Sequence, residues 1–215
     1  MTESLSRPQA LKRIIRAGVE PVLFAAGFER AGATSWVRHK SELDHMVGLP
    51  AYSSSRSIQW GIVCPEAVAF LWDKPPRIID VAWSVLTGTP GTPGHPAACG
   101  PIRLDDENDP EQIEVLAAAV AIDMHEVDER MRPFDTRRQL RSYLLENRDP
   151  TDKRGFVVPV SLPLKLYTAA VLAVLDRAPD AADLVTEAEV AWQPWISGKL
   201  TQGRISRLKA AFSAM

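Results

Sequence analysis

Two histidines flank a short stretch in the first third of the chain, His39 and His45, with Arg38 beside the first and Asp44 beside the second. Histidine titrates nearest neutrality, so such a pair invites an acid–base reading. That chemistry needs a carboxylate on one ring nitrogen and a reacting group at the other. Neighbours in a strand point to opposite faces, so Asp44 is badly placed to orient His45. No Ser stands in a nucleophile-elbow context. Packed, hydrogen-bonded histidines are therefore expected. Arg38, His39 and His45 remain candidate binding residues, and would line a cleft between sheet and helices if the protein is an enzyme.

The segment Asp123-Met-His-Glu-Val-Asp-Glu129 sets His125 and Glu129 one helical turn apart. A helix can present such a pair to one metal ion, but the second His of an HExxH pattern is absent. No metal and no cofactor are expected. Cys64 closes an apolar alternation before Pro65 and reads as a buried small hydrophobe, and nothing beside Cys99 argues for a lowered thiol pKa. The Gly88, Gly91 and Gly94 series lacks a GK[ST] ending, and its prolines remove the N–H groups that would cradle phosphate.

Charge is unevenly placed. Asp105, Asp106, Glu107, Asp109, Glu111 and Glu114 form an acidic run. Arg137, Arg141 and Arg148 fall at spacings of four and seven, which puts them on one helical face. Arg137 and Arg141 are thus candidate docking residues for an acidic partner. The competing expectation is pairing within the protein, to Glu126, Glu129 and the acidic run, with charge reversal at both arginines leaving stability nearly intact. Arg204, Arg207 and Lys209 suit the end of a last helix, without the preceding helix and turn of a DNA reader.

These residues need elements to position them. Leu11, Ile14, Ile15, Val19, Val22 and Leu23 recur at threes and fours, predicting a helix from Pro8 to Ala26. Pro21 should kink or split it, and Gly27 should cap it. Ser35–Lys40, Asp44–Tyr52 and Ser57–Cys64 read as strands, with a fourth through Ile79, Val81, Trp83 and Val85. Ile58, Trp60 and Ile62 alternate with Ser57, Gln59 and Gly61, so they should be buried together under the first helix. Residues 87–101, TGTPGTPGHPAACGP, read as a mobile loop.

Asp109 and Pro110 open a helix whose stripe, Ile113, Leu116, Val120, Met124, Val127 and Met131, runs to about Arg130. A shorter helix follows Pro133 to about Glu146. Three more lie between Leu164 and Ser213, separated at Pro179 and at Gln193–Pro194. The fold class expected is α+β: an antiparallel meander of four or five strands, an N-terminal helix across one face and a helical C-terminal half. The organisation expected is 1–86 helix plus sheet, 87–108 loop, and 109–215 helical and packed on the same domain.

Composition narrows the function classes. The 215 residues carry 25 Lys+Arg against 27 Asp+Glu, 46% hydrophobic and 24% charged residues, which excludes a wholly disordered chain. No stretch approaches a membrane span. A net charge of −2 gives no overall attraction to nucleic acid or anionic lipid. Two cysteines make no disulfide framework, and charges interrupt the first apolar run, so a cytoplasmic protein without a secretory signal is expected.

Gly27-Phe28, Trp36-Val-Arg38, His45-Met-Val47 and Ser57-Ile-Gln-Trp-Gly-Ile62 occur in that order behind a leading amphipathic helix. This order resembles a bacterial domain-of-unknown-function family, DUF 4304-like, over about residues 8–85. The resemblance implies a helix followed by a strand meander, and no catalytic residue. The function expected is a non-enzymatic protein-interaction module of a bacterial cytoplasm, with its partner and oligomeric state open and nucleic acid not expected. The alternatives are an enzyme with a sheet–helix cleft, or a nucleic-acid-associated protein using the arginine-rich helix.

Overall fold

The structure, a computed structural model, describes residues 4–52, 55–71, 84–91, 95–147, 156–157, 162–195 and 199–215. The chain opens with α1 (Arg7–Ile14), a π-helical turn (Ile15–Val19) and α2 (Glu20–Ala25), set end to end. The π turn answers Pro21. Proline has no N–H to donate, and its ring crowds the carbonyl of the preceding turn. Widening that turn, so that Glu20 N–H reaches Ile15 O, relieves the crowding and keeps the helix running. Gly27 ends it at φ 85°, with Phe28 N–H donating to Leu23 O at 2.9 Å.

An antiparallel sheet follows in the order β1 (Glu29–Gly32), β2 (Ser35–His39), β3 (Asp44–Gly48), β6 (Gln59–Val63) and β7 (Leu86–Gly88), with the two-residue β9 (Phe156–Val157) beyond β7. Between β3 and β6 the chain makes β4 (Ala51–Tyr52) and β5 (Ser55–Arg56), which join β8 (Ile102–Arg103) in a second, small sheet. The expected strand 44–52 is therefore two strands. Leu49 N–H still reaches Thr34 O, but Pro50 has no donor to continue the ladder.

The register sorts the sheet's two faces. Trp36 lies opposite Val47, Arg38 opposite His45, Val47 opposite Trp60 and His45 opposite Ile62. These residues share the face that carries the first helix and α4 (Pro110–Met131). Ile58, Trp60 and Ile62 are buried in one cluster with Ile14 and Leu23 of the first helix and Val120 and Met124 of α4. On the other face Val37, Met46 and Val63 pack with Val68 of α3 (Pro65–Leu71).

The segment expected as a loop, 87–108, carries strand residues. β7 runs through Gly88, β8 lies at Ile102–Arg103, and β9 brings part of the helical half into the main sheet. Gly88 pairs with Trp60 across the strands, and a Cβ there would meet the indole at 2.6 Å, so a side chain is excluded. Of the proposed fourth strand, positions 79–83 lie outside the described residues, and Val85 is buried just ahead of β7.

Further helices among the described residues are α5 (Arg137–Glu146), α6 (Leu162–Leu175), α7 (Ala181–Trp192) and α8 (Lys199–Ser213). Helix α6 is buried from Lys165 to Val174, with α3, α5, α7 and α8 packed around it. An all-round apolar helix has no other place to be.

The first helix crosses α4 at Gly18. A Cβ at Gly18 would lie 2.3 Å from Ala117 O, a backbone atom that cannot swing aside. In an unconstrained helix Ala is favoured over Gly by about 0.8–1 kcal/mol. Here the contact should reverse that sign, and Gly18→Ala is expected to destabilise by about 1–3 kcal/mol, as overpacked cores do. A denaturant midpoint at or above the parent's would contradict the close crossing.

Candidate functional site

Strands β2 and β3 bring Arg38 and His45 together, and α4 supplies Asp128. Arg38 donates to Asp128 Oδ1 at 2.7 Å, to Ala26 O at 2.8 Å and to His45 Nδ1 at 2.8 Å, and its guanidinium lies 4.5 Å from the centre of the Phe28 ring. His45 Nε2 stands 2.6 Å from Phe134 O. A carbonyl only accepts, so Nε2 carries the proton and Nδ1 is the acceptor for Arg38. Burial holds the His45 pKa below its ordinary value, and the Arg38 charge pushes it the same way. Burial opposes ionisation of Asp128, but hydrogen bonds from Arg132 and Arg38 outweigh it and hold its carboxyl below the usual range. Through Arg38 this group ties the first helix at Ala26, the sheet at His45 and α4 at Asp128, and Asp128 Oδ2 accepts from Arg132 one turn along α4.

His39 points to the opposite face. Its Nδ1 lies 2.7 Å from Asp44 and its Nε2 3.3 Å from Glu29. The Asp44 hydrogen bond raises its pKa. The cleft expected from Arg38, His39 and His45 is thus not formed, because strand alternation puts the sheet between His39 and the other two.

Arg137 and Arg141 turn inward. Arg137 Nε donates to Asp176 at 2.7 Å, its backbone N–H to Glu42 at 2.8 Å, and its guanidinium lies 3.4 Å from Glu66. Its side chain is 17% exposed. Arg141 stands 3.6 Å from Asp180. The pairing is intramolecular, but with other acids than those expected: Glu126 pairs with Arg130 and accepts the Gly91 N–H. Reversing Arg137 would set a carboxylate among three others, so unchanged stability is no longer the expectation. Arg148 lies outside the described residues.

The Gly/Pro segment is tied down where it is described. Asp123, 1% exposed, accepts the N–H groups of Ala98 and Cys99 at 2.7 and 3.0 Å, and Arg130 donates to Gly91 O. His125 and Glu129 face solvent, and no group of three metal-binding side chains occurs among the described residues. Burial pushes the Cys64 thiol up to about 12, and burial with Asp123 pushes Cys99 up as well, so neither is a thiolate near neutrality.

An open site lies elsewhere, along α1. One recess of about 370 Å³ is lined by Arg7, Pro8, Leu11, Ala51, Arg56, Ile102 and Leu104, with Ser55. A second of about 480 Å³ is lined by Lys12, Ile15, Arg16, Glu20, Arg30, Ala33 and Thr34, and shares Pro8, Leu11 and Arg56 with the first. The two make one groove between the first helix and the strand ends. Arg7 is paired with Asp106 and Arg30 with Glu20. Lys12 and Arg16 are exposed one turn apart, and among the described residues neither they nor Arg56 has a carboxylate partner.

Sequence reasoning missed Asp123, Asp128 and the groove. The two aspartates were detectable: they sit within the α4 stripe beside Val120, Met124 and Val127, where a carboxylate must be buried and therefore bonded. The groove joins α1 to strands of two residues each, for which a sequence carries no periodic signal.

The pH dependence has a definite sign. A histidine held below its ordinary pKa by the fold stabilises above about 6.5 and loses that contribution as pH falls through the folded value. Asp128 adds to the loss further down, and exposed His39, with its raised pKa, works weakly the other way. The melting temperature should hold between about pH 7 and 8 and fall below about 6.5. A His45→Asn variant should flatten the first part of that fall, and a flat parent profile down to pH 5 would contradict the buried neutral ring.

No family model, curated protein or solved structure matches the chain. No helix among the described residues is long and apolar enough to cross a membrane.

Proposed function

We propose that this chain is a non-enzymatic protein-interaction module of a bacterial cytoplasm and that the α1 groove is its docking surface. The carrying observation is the groove's lining: Lys12, Arg16 and Arg56 without counter-ions among the described residues, around the apolar Pro8, Leu11 and Ala51. Unpaired cations rimming apolar surface fit an acidic, partly apolar protein segment. Support against an enzyme is positive in kind. Arg38 and His45 are consumed in a buried network, and both thiols are held protonated. A nucleic-acid occupant is disfavoured because none of the described lining residues is aromatic, and base stacking is the usual source of single-strand affinity. Membership of the DUF 4304-like family is part of the proposal, on the packing motifs of residues 8–85.

Peptides selected from a random display library on the parent protein test this reading. Lys12→Glu with Arg16→Glu should abolish retention of the selected peptides while moving stability by less than about 0.5 kcal/mol, since both sites are exposed. Undiminished retention would contradict it.

A further inference from the structure

We infer that Arg56 is the anchor of the groove and takes the carboxylate of an acidic side chain in a linear peptide, beside an apolar side chain seated against Pro8 and Leu11. This rests on the groove being the docking surface. Arg56 lies on β5, the middle strand of the small sheet, with Ala51 opposite it on β4 and Ile102 opposite it on β8. Cross-strand partners share a face, so Ala51, Arg56 and Ile102 form one row facing α1. All three line the groove, and Arg56 lines both recesses.

The guanidinium is set in place before any ligand arrives. Its Nη1 donates to Leu49 O at 2.7 Å, which fixes the fork and leaves the other nitrogens uncommitted among the described residues. A half-buried cation without a counter-ion is poorly solvated, and a planar fork with free donors matches a carboxylate edge to edge. On one flank Ala51 is small and exposed, leaving room for that carboxylate, and on the other Ile102 is 1% exposed and closes the floor. Lys12 and Arg16 stand further along the helix as longer-range attraction.

The test is fluorescence anisotropy with a fluorescein-labelled Gly-Ser peptide carrying two Glu and two Leu residues. The parent should bind it at submillimolar concentration. Exchange of Glu for Gln in the peptide, or Arg56→Gln in the protein, should weaken binding by at least about tenfold, and Arg56→Lys should not restore it. Ala51→Glu places a carboxylate opposite Arg56 within the sheet. It should block the peptide at an unchanged or raised melting temperature, which separates loss of the anchor from loss of the fold.

No binding by the parent up to about 1 mM, equal binding of the Gln peptide, or indifference to Arg56→Gln and Ala51→Glu would each overturn the anchor. Tighter binding of a single-stranded oligonucleotide at the same site would overturn it too. If library-selected peptides are still lost on Lys12→Glu with Arg16→Glu, the docking reading stands without the anchor; if that reversal changes nothing, both fall.

Discussion

Asp128→Ala is expected to destabilise the protein by about 3–5 kcal/mol, the range for breaking one side of a buried ion pair. The side chains of Arg38 and Asp128 are 11% and 4% exposed, so water cannot replace the lost carboxylate. Arg38 would keep Ala26 O and His45 Nδ1, two neutral acceptors around a full charge. The double variant Arg38→Met with Asp128→Leu should lose clearly less than the two single losses added, because no charge is then stranded. Denaturant unfolding of the four proteins checks this, and strict additivity would mean that the pair is not coupled.

Trp60→Ala should cost about 3–5 kcal/mol, as large-to-small changes in rigid cores do. The indole is fully buried, opposite Val47 on one side and Gly88 on the other. The sheet backbone on both flanks limits collapse into the space left. Gly88→Ala should also destabilise, through the opposite fault, because its Cβ would meet the ring. Against a typical total stability of about 5–15 kcal/mol, the Trp60 loss alone brings the protein near its unfolding threshold. A Trp60→Ala variant that melts like the parent would contradict the packing described for β6.

How much of this was legible in the sequence depended on period and length. The first helix, α4 and the strands β2, β3 and β6 repeat an apolar pattern over five or more residues, and each lies close to its expected place. The π turn was readable only as a conflict at Pro21, since sequence shows that a proline breaks a ladder and not how the chain absorbs it. Strands β4, β5 and β8 have two residues each, too few for alternation to register. Arg137 and Arg141 were expected from helical spacing to share one face, paired with Glu126, Glu129 and the acidic run or free for a partner. Spacing shows that two residues share a face and leaves open which way that face turns; Glu42, Glu66, Asp176 and Asp180 decided it from distant positions. Arg56 drew no attention because its meaning comes from its row with Ala51 and Ile102, and that row exists only once β4, β5 and the distant β8 have formed the small sheet.

Backbone amide chemical-shift mapping of the labelled protein during titration with the Glu/Leu peptide tests the docking surface most directly. The groove reading predicts perturbations gathered at Leu11, Arg16, Ala51, Arg56, Ile102 and Leu104. Perturbations centred instead on the exposed Val115 and Ile122 of α4, on Arg137 and Arg141, or spread without a centre would contradict it.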